Sequence, residues 1–295
     1  MYDLVSSSSN GLKRELSQNE KNRLLFLLEK DSKGTRDEYK RTLSEFIIYL
    51  RSEFNINEVK AQREHINAFK QHLEINQKNS RSTINKKLAV VSSYFRFLEE
   101  KRIISENPCE FIRRFRMPNI GKSIAITRAE VELIYGSLPT SNLYELQKKT
   151  MIVLLFETGM RISELLNLKF GTIKRDFGEY VLEFEQKGGV THKIVLNEVA
   201  LSYLGKYLEA LVEVGRGEKE SEYLFLTKNK RVIDRKNFYR MIQSIGKSSG
   251  IMAVIHPHTA RVSFIKQKHK EGMDIYSIRK KVGHSSVRTT ERYLG

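Results

Sequence analysis

From Ser17 to about Phe115, apolar residues recur at three- and four-residue steps, the period of helices that bury one face. Leu43, Phe46, Ile47 and Leu50 form one stripe, on a helix that opens near Thr35. Ile84, Leu88, Val91, Tyr94, Phe95 and Leu98 form a second. That helix begins in the basic, hydroxyl-rich string Ser80-Arg-Ser-Thr-Ile-Asn-Lys-Lys87, so its N-terminal end presents Arg81, Lys86 and Lys87. Asn107-Pro108 breaks the pattern. Residues 17–116 read as a small all-helical bundle, and residues 117–123, with Pro118 and Gly121, as a linker. Thr127-Arg-Ala-Glu130 has capping-box spacing and starts a new helix toward Val131 and Ile134. Thr150 to Phe156 is nearly all apolar, which suits a buried helix ended by Gly159. A second helix is expected from Arg161 through Leu165, Leu166 and Leu168. Tyr180 to Glu185 and Thr191 to Leu196 read as two strands joined at Lys187-Gly188-Gly189. Helical signals resume at Ala200 and run to the end. The expected fold is therefore mainly α, with a helical first domain and a mixed α/β second domain over residues 124–295 that holds a small antiparallel sheet. Residues 1–16, with serines at 6–9, read as a flexible N-terminus.

Composition narrows the class. The chain has 295 residues, 40% of them apolar, which suffices for real cores and excludes global disorder. Its single cysteine, Cys109, excludes an internal disulfide and a thiolate-cluster metal site. No apolar run approaches the ~20 residues of a membrane span, and the N-terminus lacks a signal-peptide core. The expectation is a soluble, intracellular, cytoplasmic protein with no membrane partner. Lys and Arg number 52 against 35 Asp and Glu, a net charge of +17. Charge alone fits either a polyanionic partner or a well-solvated lysine-rich surface. Both halves carry the excess, as expected if both touch one polyanion.

Polar groups concentrate at four places in the second half. Arg161 opens a helix whose other face is apolar. Lys187 stands beside two glycines in a hairpin. His258 and Arg261 share a helix face just after Pro257, a favourable first-turn residue. His284 follows Gly283, and Tyr293 lies on a last short helix between Arg288, Arg292 and the end. Singly, each has an ordinary reading: Arg161 paired with Glu164, Lys187 as a solvated turn lysine, His258 as a cap, Tyr293 as packing. Jointly they are an inventory for attacking a phosphodiester without metal. A phenol with a pKa near 10 needs a base, and imidazole titrates in the right range. Guanidinium forks hold the charge that grows on the non-bridging oxygens, and an ammonium can protonate the departing sugar oxygen.

Those residues, at those intervals, resemble the tyrosine recombinases of the phage-integrase family. Thr158-Gly-Met-Arg-Ile-Ser-Glu-Leu-Leu166 is similar to the family's first-arginine motif, and His258-Thr-Ala-Arg261 to its HxxR box. Val282-Gly-His-Ser-Ser286 followed by Thr289-Thr-Glu-Arg-Tyr293 resembles the closing signature. Lys187-Gly188 with His192-Lys-Ile-Val195 resembles the lysine-bearing hairpin. Thr35 to Leu50 and Ser80 to Pro108 look like the SAM-like core-binding domain of Xer-like recombinases. The resemblance covers nearly the whole chain and implies an enzyme that breaks and rejoins DNA. It implies Tyr293 as nucleophile of a 3′-phosphotyrosyl link, Arg161 and Arg261 as clamps on the phosphate, and Lys187 as general acid. It further implies that His258 exchanges the tyrosine's proton, that His284 hydrogen-bonds the phosphate, and that Glu164 supports the site. Cofactors are expected to be none, whether metal or ATP, because the covalent link conserves the phosphodiester's energy.

Two departures accompany the resemblance. Val262 stands where many relatives have a second histidine. The sequence also reaches Gly295 two residues after Tyr293, where many relatives continue into a segment that docks on a neighbouring protomer. Double-stranded DNA is the expected partner, with self-association into a tetramer on it. Arg81, Thr83, Lys86 and Lys87 in the first domain and Arg235, Lys236 and Arg240 in the second are the expected DNA contacts. A type IB-like topoisomerase and a catalytically silent DNA-binding protein are the competing readings. A metal nuclease lacks its carboxylate cluster.

Overall fold

The structure, a computed structural model, describes residues 15–117, 124–185, 189–217, 219–284 and 286–294. Most of the expected flexible N-terminus, most of the expected linker, and Lys187 with Gly188 at the hairpin tip lie outside the described residues. The chain divides into two compact units, Met1–Asn119 and Ile120–Gly295.

In the first unit four helices surround one aromatic core: α1 (Gln18–Leu28), α2 (Lys33–Phe54), α3 (Arg63–Ile75) and α4 (Arg81–Glu100). Serine hydroxyls set three of the starts. Ser17, Ser32 and Ser80 each accept a backbone N–H from the first turn, relieving donors that have no intrahelical partner. Phe46 meets Phe69 and Phe95 at ring distances of 5.0 and 5.9 Å, and all three are fully buried. Beyond Glu100 the helical pattern stops sooner than Asn107-Pro108 suggested. Arg102 adopts a left-handed backbone (φ 56°), and the N–H groups of Lys101 and Ile103 fold back onto Phe97 and Leu98. Asn107 is instead a buried brace, its Oδ1 accepting from the Cys109 N–H. Burial pushes the Cys109 thiol up to about 12, so it is a packing group.

The second unit opens with α5 (Arg128–Ser137), whose capping box joins Thr127 and Glu130 as the spacing required. Then follow α6 (Leu143–Thr158) and the short α7 (Ile162–Leu166). From Met151 to Phe156 α6 is buried all round, as a helix that is apolar all round must be. Three strands come next: β1 (Ile173–Asp176), β2 (Glu179–Glu185) and β3 (Thr191–Val195). They form an antiparallel sheet in the order β1-β2-β3, with Leu182 opposite both Ile173 and Ile194. Sequence periodicity missed β1, because four residues with one apolar member carry no alternation. The turn at Phe177-Gly178, both at positive φ, defines it instead.

The remaining helices are α8 (Glu198–Glu213), α9 (Arg235–Ser248), α10 (Pro257–Lys270), α11 (Ile275–Val282) and α12 (Val287–Leu294). Two expectations fail here for one reason. Helix α7 does not reach Leu168, and the chain between α8 and α9 is not helical among its described residues. The Leu224 N–H donates to the Leu168 carbonyl at 2.8 Å and the Phe170 N–H to the Glu222 carbonyl at 3.1 Å. Each segment satisfies the other's backbone and neither needs a helix. No helix of the described residues is long and apolar enough to cross a membrane.

Candidate active site

Arg161 reaches its place through a sharp turn that only glycine permits. Helix α6 ends at Gly159, whose backbone is left-handed (φ 64°), and a Cβ there would stand 2.6 Å from Cδ1 of Phe264. The chain then reverses, and Arg161 caps α7 instead of lying inside it. Glu164 grips Arg161 at both ends: its carboxylate accepts the Arg161 backbone N–H at 2.6 Å and the guanidinium at 2.7 Å. The ordinary reading of this pair is therefore present. A second guanidinium nitrogen donates to the carbonyl of Gly283 at 2.8 Å, which ties the motif to a segment more than a hundred residues away.

Arg261 is carried by α10, whose first turns are enclosed on all sides, and only 4% of it is exposed. It donates through Nη1 to the Gly159 carbonyl at 2.7 Å, through Nη2 to the Val282 carbonyl, and through Nε to Nε2 of His284 at 3.3 Å. Burial, then the neighbouring Arg161 guanidinium, brings its pKa down to about 10, so it remains a cation at neutral pH.

The bond from Arg261 fixes the chemistry of His284. Accepting at Nε2 places the ring proton on Nδ1, which donates to the hydroxyl of Thr290, fully buried on α12, at 2.9 Å. Burial and two guanidinium neighbours lower the His284 pKa to about 3, so the ring stays neutral. Both nitrogens are occupied. The expected bond from His284 to a phosphate therefore requires one of them to exchange its partner.

Tyr293 lies between two imidazoles. Its ring stacks on His284 with centroids 5.6 Å apart and planes 20° apart, and tilts against His258 at 5.3 Å. Among the described residues its hydroxyl makes no hydrogen bond. Helix α12 is seated by Tyr293 and Leu294 against Phe264, Ile265, Ile278 and Val282. His258 has its pKa lowered by burial, then by Arg261 and His256. It is a neutral base at neutral pH, as a proton acceptor must be.

Arg161, Glu164 and His284 line a groove of about 1250 Å³, with His192, Lys193 and Arg279 on its walls. His192, on β3, hydrogen-bonds the Lys281 carbonyl at 3.1 Å. Five of the six chemistry-bearing residues thus converge, and the sixth, Lys187, lies outside the described residues. Sequence reasoning missed the parts played by Thr290, His192 and Arg279. Thr290 sits in the quoted closing signature, yet its spacing to His284 says nothing of a shared proton.

The expected DNA contacts divide. Arg81 and Lys86 are exposed on α4, and Arg235, Lys236 and Arg240 on α9. Thr83 is spent on the Ser80 cap, with 2.9 Å between the hydroxyls. Lys87 pairs with Glu45 at 2.6 Å and would have to leave that carboxylate to hold a phosphate.

Comparison with known proteins follows from this geometry. The phage integrase family matches residues 125–295, and its N-terminal SAM-like domain matches residues 23–102. A tyrosine recombinase of Thermosipho africanus is 29% identical over 89% of this chain and 89% of its own. Tyrosine recombinase XerD of Halalkalibacterium halodurans is 28% identical over 89% of this chain and 87% of its own. Among solved structures, a lambda integrase dimer bound to a core site superposes with a TM-score of 0.73 at 16% identity, covering 94% of each chain. XerH bound to a palindromic difH substrate, in a post-cleavage complex, superposes at 0.70 and 17% identity, over 88% of this chain and 76% of that one. These two share the fold.

Proposed function

The chain belongs to the phage integrase family and is a tyrosine recombinase, and on that premise we propose that it cuts and rejoins duplex DNA through Tyr293. The phenolic oxygen attacks the scissile phosphorus, the P–O5′ bond breaks, and a 3′-phosphotyrosyl link and a free 5′-hydroxyl result. His258 takes the phenol's proton. Lys187 gives the proton that the 5′-oxygen gains. Arg161 and Arg261 hold the non-bridging oxygens, and Glu164 keeps Arg161 aimed. Energy stays in the phosphotyrosyl bond, so rejoining needs neither ATP nor metal. In this reading residues 17–116 serve as the core-binding domain and residues 124–295 as the catalytic domain.

The observation that carries the proposal is the Tyr293 ring lodged between His258 and His284, with His284 bonded to Arg261. The nucleophile's ring touches a neutral base on one side, and on the other an imidazole that a buried cation bonds. Two duplexes exchanging both strands need four such tyrosines, which makes a tetramer on DNA the assembly the proposal entails.

A duplex nicked close to the cleavage position tests it, since the short fragment diffuses away and traps the link. A covalent protein–DNA adduct that disappears in Tyr293→Phe is the expected result. No adduct with any substrate would favour the silent DNA-binding protein. Relaxation of plasmids that carry no paired sites would favour the topoisomerase.

A further inference from the structure

Residues 111–116 of the first unit, beyond the turn at Asn107–Glu110, carry charge that the catalytic reading leaves unused. Their backbone is held by side chains of α3 and α4. The carbonyls of Phe111, Arg113 and Phe115 accept from Arg63 (3.4 Å), Lys70 (2.7 Å) and Asn85 (2.8 Å). Every second carbonyl is taken, as when an extended chain turns one edge toward its support. Asn85 closes the grip by accepting the Phe115 N–H at 3.0 Å. Ile112 and Phe115 pack on the aromatic core, while Arg113, Arg114 and Arg116 remain exposed.

Cations crowd this segment. Lys70 and Arg81 lie 4.4 and 5.5 Å from the Phe115 ring centre, and Arg63 lies 5.9 Å from that of Phe111. Among the described residues none of Arg63, Lys70, Arg81, Arg113, Arg114 and Arg116 pairs with a carboxylate. Elsewhere in the unit Arg23 pairs with Glu58, and Lys87 with Glu45. Six unneutralised cations, three on the segment and three on the helices beneath it, repel one another and attract a polyanion.

We propose that residues 111–116 are a pre-ordered cationic strap that lies along the sugar–phosphate backbone of duplex DNA. Arg113, Arg114 and Arg116 contact phosphates, and Asn85 and Lys70 are positioning residues that hold the strap in shape before binding. The proposal rests on the reading of DNA as substrate. Pre-ordering matters because a loose segment would lose conformational freedom on binding, and this one has already lost it. Phosphate contacts fix register without reading bases.

Fluorescence anisotropy with a labelled duplex of arbitrary sequence, titrated at several salt concentrations, tests the strap. Wild-type binding should weaken steeply with salt. R113A/R114A/R116A should lower the slope of log affinity against log salt by about 3, roughly one per lost phosphate contact, on any sequence. The corresponding triple lysine variant should restore that slope. Asn85→Ala keeps every charge, so it should keep the slope while weakening binding roughly 3- to 10-fold. It should also speed tryptic cutting after Arg113, Arg114 and Arg116. A wild-type slope in the triple alanine variant overturns the strap and leaves DNA binding intact. No duplex binding by the wild type overturns the reading beneath it.

Discussion

At the scale of the residue, Arg261 does two things at once. It holds a buried cation against His284, and it fastens the carbonyls of Gly159 and Val282 to the same helix. Arg261→Ala should slow adduct formation by on the order of 10²–10³, about 3–4 kcal/mol of transition-state stabilisation. Single-turnover cleavage of the nicked duplex measures this, and a normal rate would refute the clamp. His284 gives a pH prediction. Its folded pKa of about 3 lies below the ordinary value of 6.5, so below pH 6.5 the unfolded chain binds the extra proton first. Stability from this ring is complete above pH 6.5 and is lost as the pH falls toward 3, approaching ~1.4 kcal/mol per unit at its steepest. Urea unfolding across that range should show the slope, and His284→Asn should flatten it.

At the scale of the element, Gly159 is where packing and chemistry meet. Gly159→Ala should destabilise the chain by at least ~2 kcal/mol, from a disfavoured left-handed backbone and a collision with Phe264. Gly178→Ala is the control: its φ is 87° but nothing lies within 4 Å, so about 1–2 kcal/mol of backbone strain is all it should cost. Urea midpoints of the two variants decide, and equal losses would remove the packing argument. The contrast also marks what a sequence can and cannot carry. Gly159 is visible as a helix-stop signal, yet the close approach depends on Phe264, about a hundred residues further on. Caps and stripes are local, so α2, α4, α5 and the start of α10 were legible from residues a turn apart. Strand β1 and the pairing of residues 168–170 with 222–224 depend on partners elsewhere, and periodicity is blind to them. The clustering of Arg161, Arg261 and His284 was legible by resemblance, whereas the proton shared with Thr290 needed coordinates.

At the scale of the whole molecule, charge is the dominant fact. With roughly 6–10 phosphates neutralised, affinity for duplex DNA should fall some 10³–10⁵-fold between 50 and 200 mM salt, and a flat response would sink the electrostatic account. The DNA-contact expectation placed this charge on α9 in the second domain and on α4 in the first. The structure neutralises Lys87 there and leaves the arginines of residues 111–116 uncovered. Positive charge of this size also acts between identical molecules. At moderate ionic strength two free copies push each other apart, and the uncovered arginines add to that push wherever they face. A bound polyanion cancels it, and added salt screens it. On the proposed function, copies of the chain then gather where duplex DNA is already seated, and the proposed nucleophile Tyr293 stays apart from other copies elsewhere.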